Sequence, residues 1–458
     1  MTNPIGTLVI LGAGGDLTKR LLLPGVGQVL SLGRTGSDPG FRLLGVGQDA
    51  MADADWRALV AASFGAGGAV SNAAATVVAG TSYLQADVTK PGDLNRILAA
   101  TDGTPAFYFA LPPRVTILAC AALEKVDLPV GTVLALEKPF GTDLASAQAL
   151  NRQLLKLVPE NQIHRVDHFL GKSTVLNLLG LRFANRIFEQ LWNRDNIERI
   201  EIVFDEQLAL EGRAGYYDAA GALVDMIQSH LLLVLALVTM EPPSSVDADD
   251  LRGAMAQLLR ATRVAGDDAG SSSRRAQYTA GHAGDREVPA YVAEPGVAPA
   301  SRTETLAELT VEIENWRWSG VPIVLRSGKA LAEKRKEIIV TFREVPHLPT
   351  GLTGREGPSR LRLSLSPDTV ELDLTMNGEG DPFELDRITL AADFGAGELG
   401  PYGEVLSGIL AADPTLSVRA DMVEECWRIV EPALAAWKSD AVPLQIYSAG
   451  TAAPAAWD

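Results

Sequence analysis

The run TLVILGAGGDL at residues 7–17 limits the fold more than any other stretch of the chain. A strand-like apolar segment enters a turn holding Gly12, Gly14 and Gly15, and a helical pattern leaves it. Glycines let the backbone turn sharply and approach a pyrophosphate closely, while a helix N-terminus offers it unbonded N–H groups. Leu17 occupies the third glycine position of a GxGxxG pattern, so the general fingerprint is incomplete. The surrounding residues supply the context that a lone glycine loop lacks. Strand-like TLVILG, FRLLGVG, TSYLQADV, PAFYFAL and VLALEKPFG alternate with helical patterns through about residue 150. One of these helices, LTKRLLLPGVGQVLSLG, reads as interrupted by Pro24 and Gly25, and another, ADADWRALVAASFG, as capped by an early Asp or Ser. Apolar strands alternating with helices predict a parallel sheet covered on both faces.

The remaining chain has a different texture. Residues 174–195 read as one helix and 219–241 as another, with the strand RIEIVFDEQL between them. After Thr305, LAELTVEIENWRW, PIVLRSG, EIIVTFREV, RLRLSLSP and TVELDLTMNG show antiparallel patterning, and helices return at 402–411 and 420–437. Residues 264–300, rich in Gly, Ala, Ser and Pro, read as a long surface excursion. Trp316 and Trp318 alternate as strand residues do, which predicts that both pack. At 458 residues the chain exceeds one hydrophobic core. The fold class expected is an α/β Rossmann-like nucleotide-binding domain, 1–173, plus an α+β domain with a large, mainly antiparallel sheet, 174–458.

Charge narrows the partners. Lys and Arg total 40 against 57 Asp and Glu, a net charge of −17, which argues against nucleic acid or an anionic membrane. The N-terminal apolar run and the ten residues 231–240 are both too short to span a bilayer. Cys120 and Cys426 stand alone in apolar surroundings without a CxxC, which fits two reduced thiols, no structural zinc and a cytoplasmic location.

GAGGDLTKR at 12–20 resembles the GxxGDLxKR signature of the glucose-6-phosphate dehydrogenase family, and further matches follow in order. They are EKPFG at 137–141, RVDHFLGK at 165–172, LRFANRIFEQLWNRDNI at 181–197, EGRAGYYD at 211–218, DMIQSHLLLVLALVTMEPP at 225–243 and NWRWSGVPIVLRSGKAL at 315–331. The resemblance implies oxidation of D-glucose 6-phosphate at C1 to the 6-phospho-lactone, the first step of the oxidative pentose phosphate pathway, with hydride passing to NADP or NAD. It also implies a homodimer, or a dimer of dimers, formed through the large sheet.

Residue roles follow from the same resemblance. His230 is the general base for the C1 hydroxyl, and Asp167 the carboxylate that orients it. A neutral imidazole suits that task near neutral pH, and no metal is then required. His168 and Lys172 grip the sugar phosphate. Lys138, Glu206, Asp225, Lys329, Lys334 and Lys19 face the sugar. Gly12, Gly14, Gly15, Asp16, Leu17, Gln48, Lys138 and a cis Pro139 line the cofactor. His282 and His347 sit in turn-rich segments and are expected to be exposed.

Departures from the family pattern matter too. Gly14 and Gln48 replace residues that usually hold the 2′-phosphate of NADP, and Asp49 follows, which points toward tolerance of or preference for NAD. Arg20 is a candidate to supply the lost contacts. Phe169 replaces a usual Tyr and Ser173 a usual Glu, which predicts weaker substrate affinity. These departures keep two alternatives open: a catalytically weak NAD(P)-sensing regulatory relative, and a dehydrogenase of a different sugar.

Overall fold

The computed structural model describes all residues except 1–4, 35–39, 213, 267, 355–356, 394, 396, 455–456 and 458. The chain divides into two compact units. The first comprises residues 1–172, 243–256 and 397–424, and the second 173–242, 257–396 and 425–458. The first break falls between residues 172 and 173, and two later segments return to the first unit.

The strands of the first unit's main run are β1 (Ile5–Leu11), β2 (Arg42–Gly47), β3 (Ser82–Gln85), β4 (Thr104–Phe109), β5 (Val133–Glu137) and β6 (Ile163–Val166). They pair in parallel in the order β6-β5-β4-β1-β2-β3. Every residue of β1 and β4 is buried, as expected for central strands covered on both faces. The order reverses between β1 and β4, and the crevice outside the carboxyl ends at such a reversal is where ligands bind in open α/β sheets. The segment 397–424 joins this unit for two reasons. Ser417–Val418 pairs antiparallel with β6, and Leu406, Ile409 and Leu410 of the helix Pro401–Leu410 pack with Leu22, Leu23 and Val26.

The helix after the glycine turn is not interrupted at Pro24. It starts with π-helical Thr18–Leu22 and continues as α-helical Leu23–Ser31, with Pro24 in the α segment's first turn. Leu23 N–H bonds the Thr18 carbonyl five residues back, and a widened turn accommodates a ring that lacks a donor. The helix Asp53–Ala66 starts at Ala52 with no side-chain cap, and Asp53 and Asp55 instead meet the positive end of its dipole.

His164 on β6 is fully buried, its Nδ1 3.0 Å from Ser417 Oγ. Burial, reinforced by the Arg252 charge, pushes the imidazole down to about 3. A depressed histidine contributes stability above its unfolded value near 6.5, and that contribution fades as pH falls. Buried carboxyls such as Glu304, pushed up to about 7 by burial, titrate with the opposite sign, so a variant isolates the effect. Between pH 7.5 and pH 5, the stability advantage of the wild type over His164→Leu should shrink by about 2 kcal/mol in urea unfolding. An advantage independent of pH would contradict this.

The second unit is built on a mixed sheet of β7 (Ile197–Asp205), β8 (Thr262–Val264), β9 (Ser273–Thr279), β10 (Leu306–Ile313), β11 (Ile323–Gly328), β12 (Arg335–Phe342), β13 (Thr353–Gly354), β14 (Arg360–Leu365), β15 (Asp368–Asn377), β16 (Glu384–Asp393) and β17 (Leu444–Ser448). Most pairings are antiparallel, but β7 with β11, β9 with β17 and β13 with β16 are parallel. Within the supposed excursion at 264–300, residues 273–279 form a strand of this sheet, and 281–283 pairs with 286–288 as a separate hairpin. The SSSRR run enters β9, where Arg275 is buried and donates to the Val442 carbonyl, and Tyr278 and Tyr291 are buried beyond it. Small polar residues masked a strand whose buried members are Ser273, Arg275, Ala276 and Tyr278.

Two expected helices are also divided. Residues 174–195 form Ser173–Phe183 and Arg186–Leu191, with Asn185 as an extended N-cap between them. The helical stretch Ala214–Thr239 bends at Gly221, runs as a π-helix over Leu223–Leu231 and ends as α-helical Leu232–Thr239. It is apolar and long enough to cross a membrane, yet 83% of its apolar window is buried inside the protein. A buried helix end needs partners for its last carbonyls. Arg182 donates to the Leu237 and Met240 carbonyls, Trp192 Nε1 to Val238 and Trp318 Nε1 to Thr239. Trp318 thus packs as expected, but Trp316 lies in a turn and is 97% exposed.

Candidate active site

The carboxyl ends of the first unit's strands carry the residues expected at the cofactor. Gly12 follows β1 with φ +90°, its N–H bonding the Val46 carbonyl. A Cβ at Gly12 would lie 2.2 Å from the Ala110 carbonyl oxygen at the end of β4, so only glycine fits. Gly14 and Gly15 are exposed, and nothing lies within 4 Å of where a Gly14 Cβ would stand. The helix that follows begins at Asp16, with Leu17 already helical and making no side-chain cap. A bared turn at the switch point, leading to an uncapped helix start, fits a dinucleotide pyrophosphate. Asp16 is exposed and pairs with exposed Arg20 at 3.4 Å; Lys19 is exposed beside them.

Gln48, after β2, is exposed, and its carbonyl accepts from Gln85 Nε2 at 2.8 Å. With Gln85, Ala86, Asp87, Asp93 and Arg96 it lines an open depression of about 640 Å3. Arg96 is tied to Asp93 at 2.9 Å, and hydrogen bonds from Thr89 hold the Asp87 carboxyl down to about 2. Asp87 is in turn paired with Lys90 at 3.3 Å, so both carboxylates of this rim are matched by a cation.

Lys138 and Pro139 follow β5, half-buried, and the bond between them is cis. Glu137 before them accepts the Tyr108 hydroxyl, and burial pushes its carboxyl up to about 7 against the opposing bonds from Tyr108 and Tyr402. Asp167 follows β6 and is buried; its Oδ1 accepts the Phe169 N–H at 3.0 Å, which fixes the carboxylate plane. His168 stacks on Tyr402 with ring centroids 5.5 Å apart. Lys172 Nζ lies 4.8 Å from the Phe169 ring centroid. Phe169 itself is buried, so its ring packs here and carries no donor.

In the second unit, His230 is 2% exposed and Asp225 half-buried, both in the π-helical segment. Positions five apart sit roughly 140° apart around an α-helix, and i→i+5 bonding brings them toward a common side. Burial first, then the Asp225 and Glu304 charges, raise the Tyr217 hydroxyl well above its ordinary value.

Glu206 directly follows β7, and its N–H bonds the Gly328 carbonyl. Because β7 runs parallel to β11 and antiparallel to β12, the end of β7, the end of β11 and the start of β12 meet. Glu206 Oε2 accepts from Lys329 at 2.8 Å and Oε1 from Lys336 at 3.0 Å. Burial alone would raise the Glu206 carboxyl, but Lys329 and then Lys336 outweigh it and hold it below its ordinary value. Lys334 stays outside this cluster, exposed and bonded to Ser366 Oγ. Lys336 is a residue that sequence reasoning missed; strand pairing sets it opposite Phe204, and its Nζ lies 4.0 Å from that ring centroid. Ser173 is committed to Asp368, as is Thr174. His282 and His347 are exposed, as expected.

Comparison with known proteins covers both units. The glucose-6-phosphate dehydrogenase NAD binding domain matches residues 9–177, and the C-terminal domain of the same family matches 179–458. A glucose-6-phosphate 1-dehydrogenase of Treponema pallidum (strain Nichols) is 38% identical, covering 98% of this chain and 92% of its own. One from Bacillus subtilis (strain 168) is 35% identical, covering 99% and 96%. A crystal structure of glucose-6-phosphate 1-dehydrogenase from Mycobacterium avium aligns with a TM-score of 0.85 at 35% identity, over 99% of this chain and 96% of that one. A glucose-6-phosphate dehydrogenase in complex with its substrate glucose 6-phosphate aligns at 0.88 and 28% identity, over 100% and 97%. The chain belongs to the glucose-6-phosphate dehydrogenase family.

Proposed function

We propose that the protein oxidises D-glucose 6-phosphate at C1 to 6-phospho-D-glucono-1,5-lactone, the entry reaction of the oxidative pentose phosphate pathway, using NADP or NAD. The observation that carries this is His230, an imidazole 2% exposed near the end of the π-helical segment and just before the fully buried apolar helix Leu232–Thr239. A buried polar ring there is costly unless it is used or partnered. His230 takes the C1 hydroxyl proton as the C1–H bond breaks toward the acceptor. Asp167, its plane fixed by the Phe169 N–H, holds the imidazole tautomer and stabilises the imidazolium. His168 and Lys172 bind the phosphate. Glu206, Lys329, Asp225, Lys138 and Lys19 hold the ring hydroxyls, with the first two set by their mutual ion pair, while Lys334 is engaged by Ser366 outside that cluster. Bound NAD or NADP supplies the hydride acceptor; Gly12, Gly14, Gly15, Asp16, Leu17, Gln48 and Pro139 would hold it. The reduced thiol of Cys120, pushed up to about 12 by burial, fits a cytoplasmic location. Exposed apolar Met376, Phe383 and Leu390 on and beside β15 and β16 fit dimerisation through the large sheet.

Near-ultraviolet absorbance of NAD(P)H tests the reading. Glucose 6-phosphate should give turnover, and free glucose at the same concentration at least a hundredfold less. No turnover would favour a sensor, and equal turnover a different sugar substrate. Gly14 and Gln48 offer no cation to a 2′-phosphate and the next residue, Asp49, is a carboxylate, so kcat/KM with NAD should equal or exceed that with NADP. Gln48→Arg should raise kcat/KM for NADP about tenfold, the worth of one charge-assisted hydrogen bond. An unchanged ratio would contradict that assignment.

A further inference from the structure

Glu304 takes no part in the chemistry above, yet it is 7% exposed, and its carboxyl is pushed up to about 7 by burial against bonds from Leu223 and Ala222 and the Arg275 charge. Its Oε1 accepts the N–H of Leu223 at 3.0 Å, and its backbone carbonyl accepts the N–H of Ala222 at 3.1 Å. Leu223 opens the π-helical segment that carries Asp225 and His230. The chain bends onto this carboxyl at Gly221, whose φ is +68°, and a Cβ there would lie 2.2 Å from Glu304 Oε1. The first N–H groups of a helix lack internal partners, and a carboxylate at that end meets both them and the dipole.

Thr305, the next residue, reaches the other half of the sugar site. Its carbonyl accepts the N–H of Lys329 at 2.9 Å. Its hydroxyl bonds Tyr447 at 2.9 Å, and the Tyr447 hydroxyl donates to the Lys329 carbonyl at 2.6 Å. Two consecutive residues are thus tied to the helix of His230 and to the backbone of Lys329. An apolar side chain at 304 would avoid burying a carboxyl but would leave the Leu223 N–H without its acceptor.

We propose that Glu304 is a positioning residue for the proton-transfer step: its carboxyl fixes the start of the helix that presents His230 and Asp225, in register with Lys329. This rests on the assignment of His230 as the base. The test uses the full-length enzyme and three variants. Glu304→Gln keeps an acceptor of the same reach. Glu304→Met keeps the volume without the acceptor, and Glu304→Asp keeps the charge but falls short of Leu223.

The Met and Asp variants should lose at least tenfold in kcat, with KM for glucose 6-phosphate changed less than threefold. The Gln variant should stay within threefold of wild type in both. Hydrogen exchange of the amides at 222–231 should quicken at least tenfold in Met and Asp and not in Gln. The Asp and Gln pair decides the matter even if Met does not fold. Wild-type kcat in the folded Asp or Met variant, with only a lower melting temperature, overturns the proposal. Equal impairment of Gln and Met overturns it too. The exchange readout does not depend on His230, whereas turnover retained in His230→Asn would remove the base assignment by itself.

Discussion

His230→Asn should lower kcat by about 10²- to 10⁴-fold, the usual contribution of a positioned general base, while KM for glucose 6-phosphate stays within threefold. Asn fills a similar space and can hydrogen-bond the C1 hydroxyl, but it cannot accept its proton at neutral pH. The helix that holds the residue should survive the change. Its start is tied to Glu304, and its last carbonyls accept from Arg182, Trp192 and Trp318. The loss should therefore appear in kcat, without a comparable fall in melting temperature. Turnover within tenfold of wild type in the folded variant would rule the role out.

Gly12→Ala should be the most damaging single methyl group in the cofactor site. The added carbon would sit 2.2 Å from the Ala110 carbonyl oxygen, and alanine resists a φ of +90°. The turn would have to lift away from the end of β4, or β1 would have to shift in a register where all its residues are buried. Strain of this kind costs about 1–3 kcal/mol at the backbone alone. Because the displaced atoms are those that would meet the pyrophosphate, the Kd for NADH should rise about a hundredfold in a fluorescence titration. The second unit holds Glu206 and Lys329 independently of that turn, so saturation with sugar phosphate should change little. An unaltered Kd would show that the glycine turn does not meet the cofactor.

How much the chain discloses by itself depends on the distance over which its signals act. The glycine turn, the apolar parallel strands and the five-histidine inventory are local, and they place Gly12, Asp167 and His230 on the expected kinds of element. Local breaks were harder to read. Pro24 reads as an interruption, because sequence does not reveal that a π turn widens the helix before it. Asn185 and Gly221 break long apolar patterns whose periodicity continues across them. Polarity misled at β9, where Arg275 is buried because the Val442 carbonyl and Asp440 receive it from 165 or more residues away.

The same reasoning explains the residues that were missed. Lys336 reaches Glu206 only through strand pairing, and Glu304 reaches Leu223 across 81 residues of sequence. Tyr402, from a helix far along the chain, stacks on His168 without belonging to any recognisable motif. Trp316 shows the opposite error, since alternation with Trp318 suggested packing where a turn leaves the ring in solvent.

The central claim is a hydride leaving C1 of a sugar phosphate, and isotope transfer tests it most directly. With glucose 6-phosphate deuterated at C1, mass spectrometry of the reduced cofactor should find one deuterium on the nicotinamide ring for each turnover. Reduced cofactor carrying no deuterium, or none formed at all, would contradict the account.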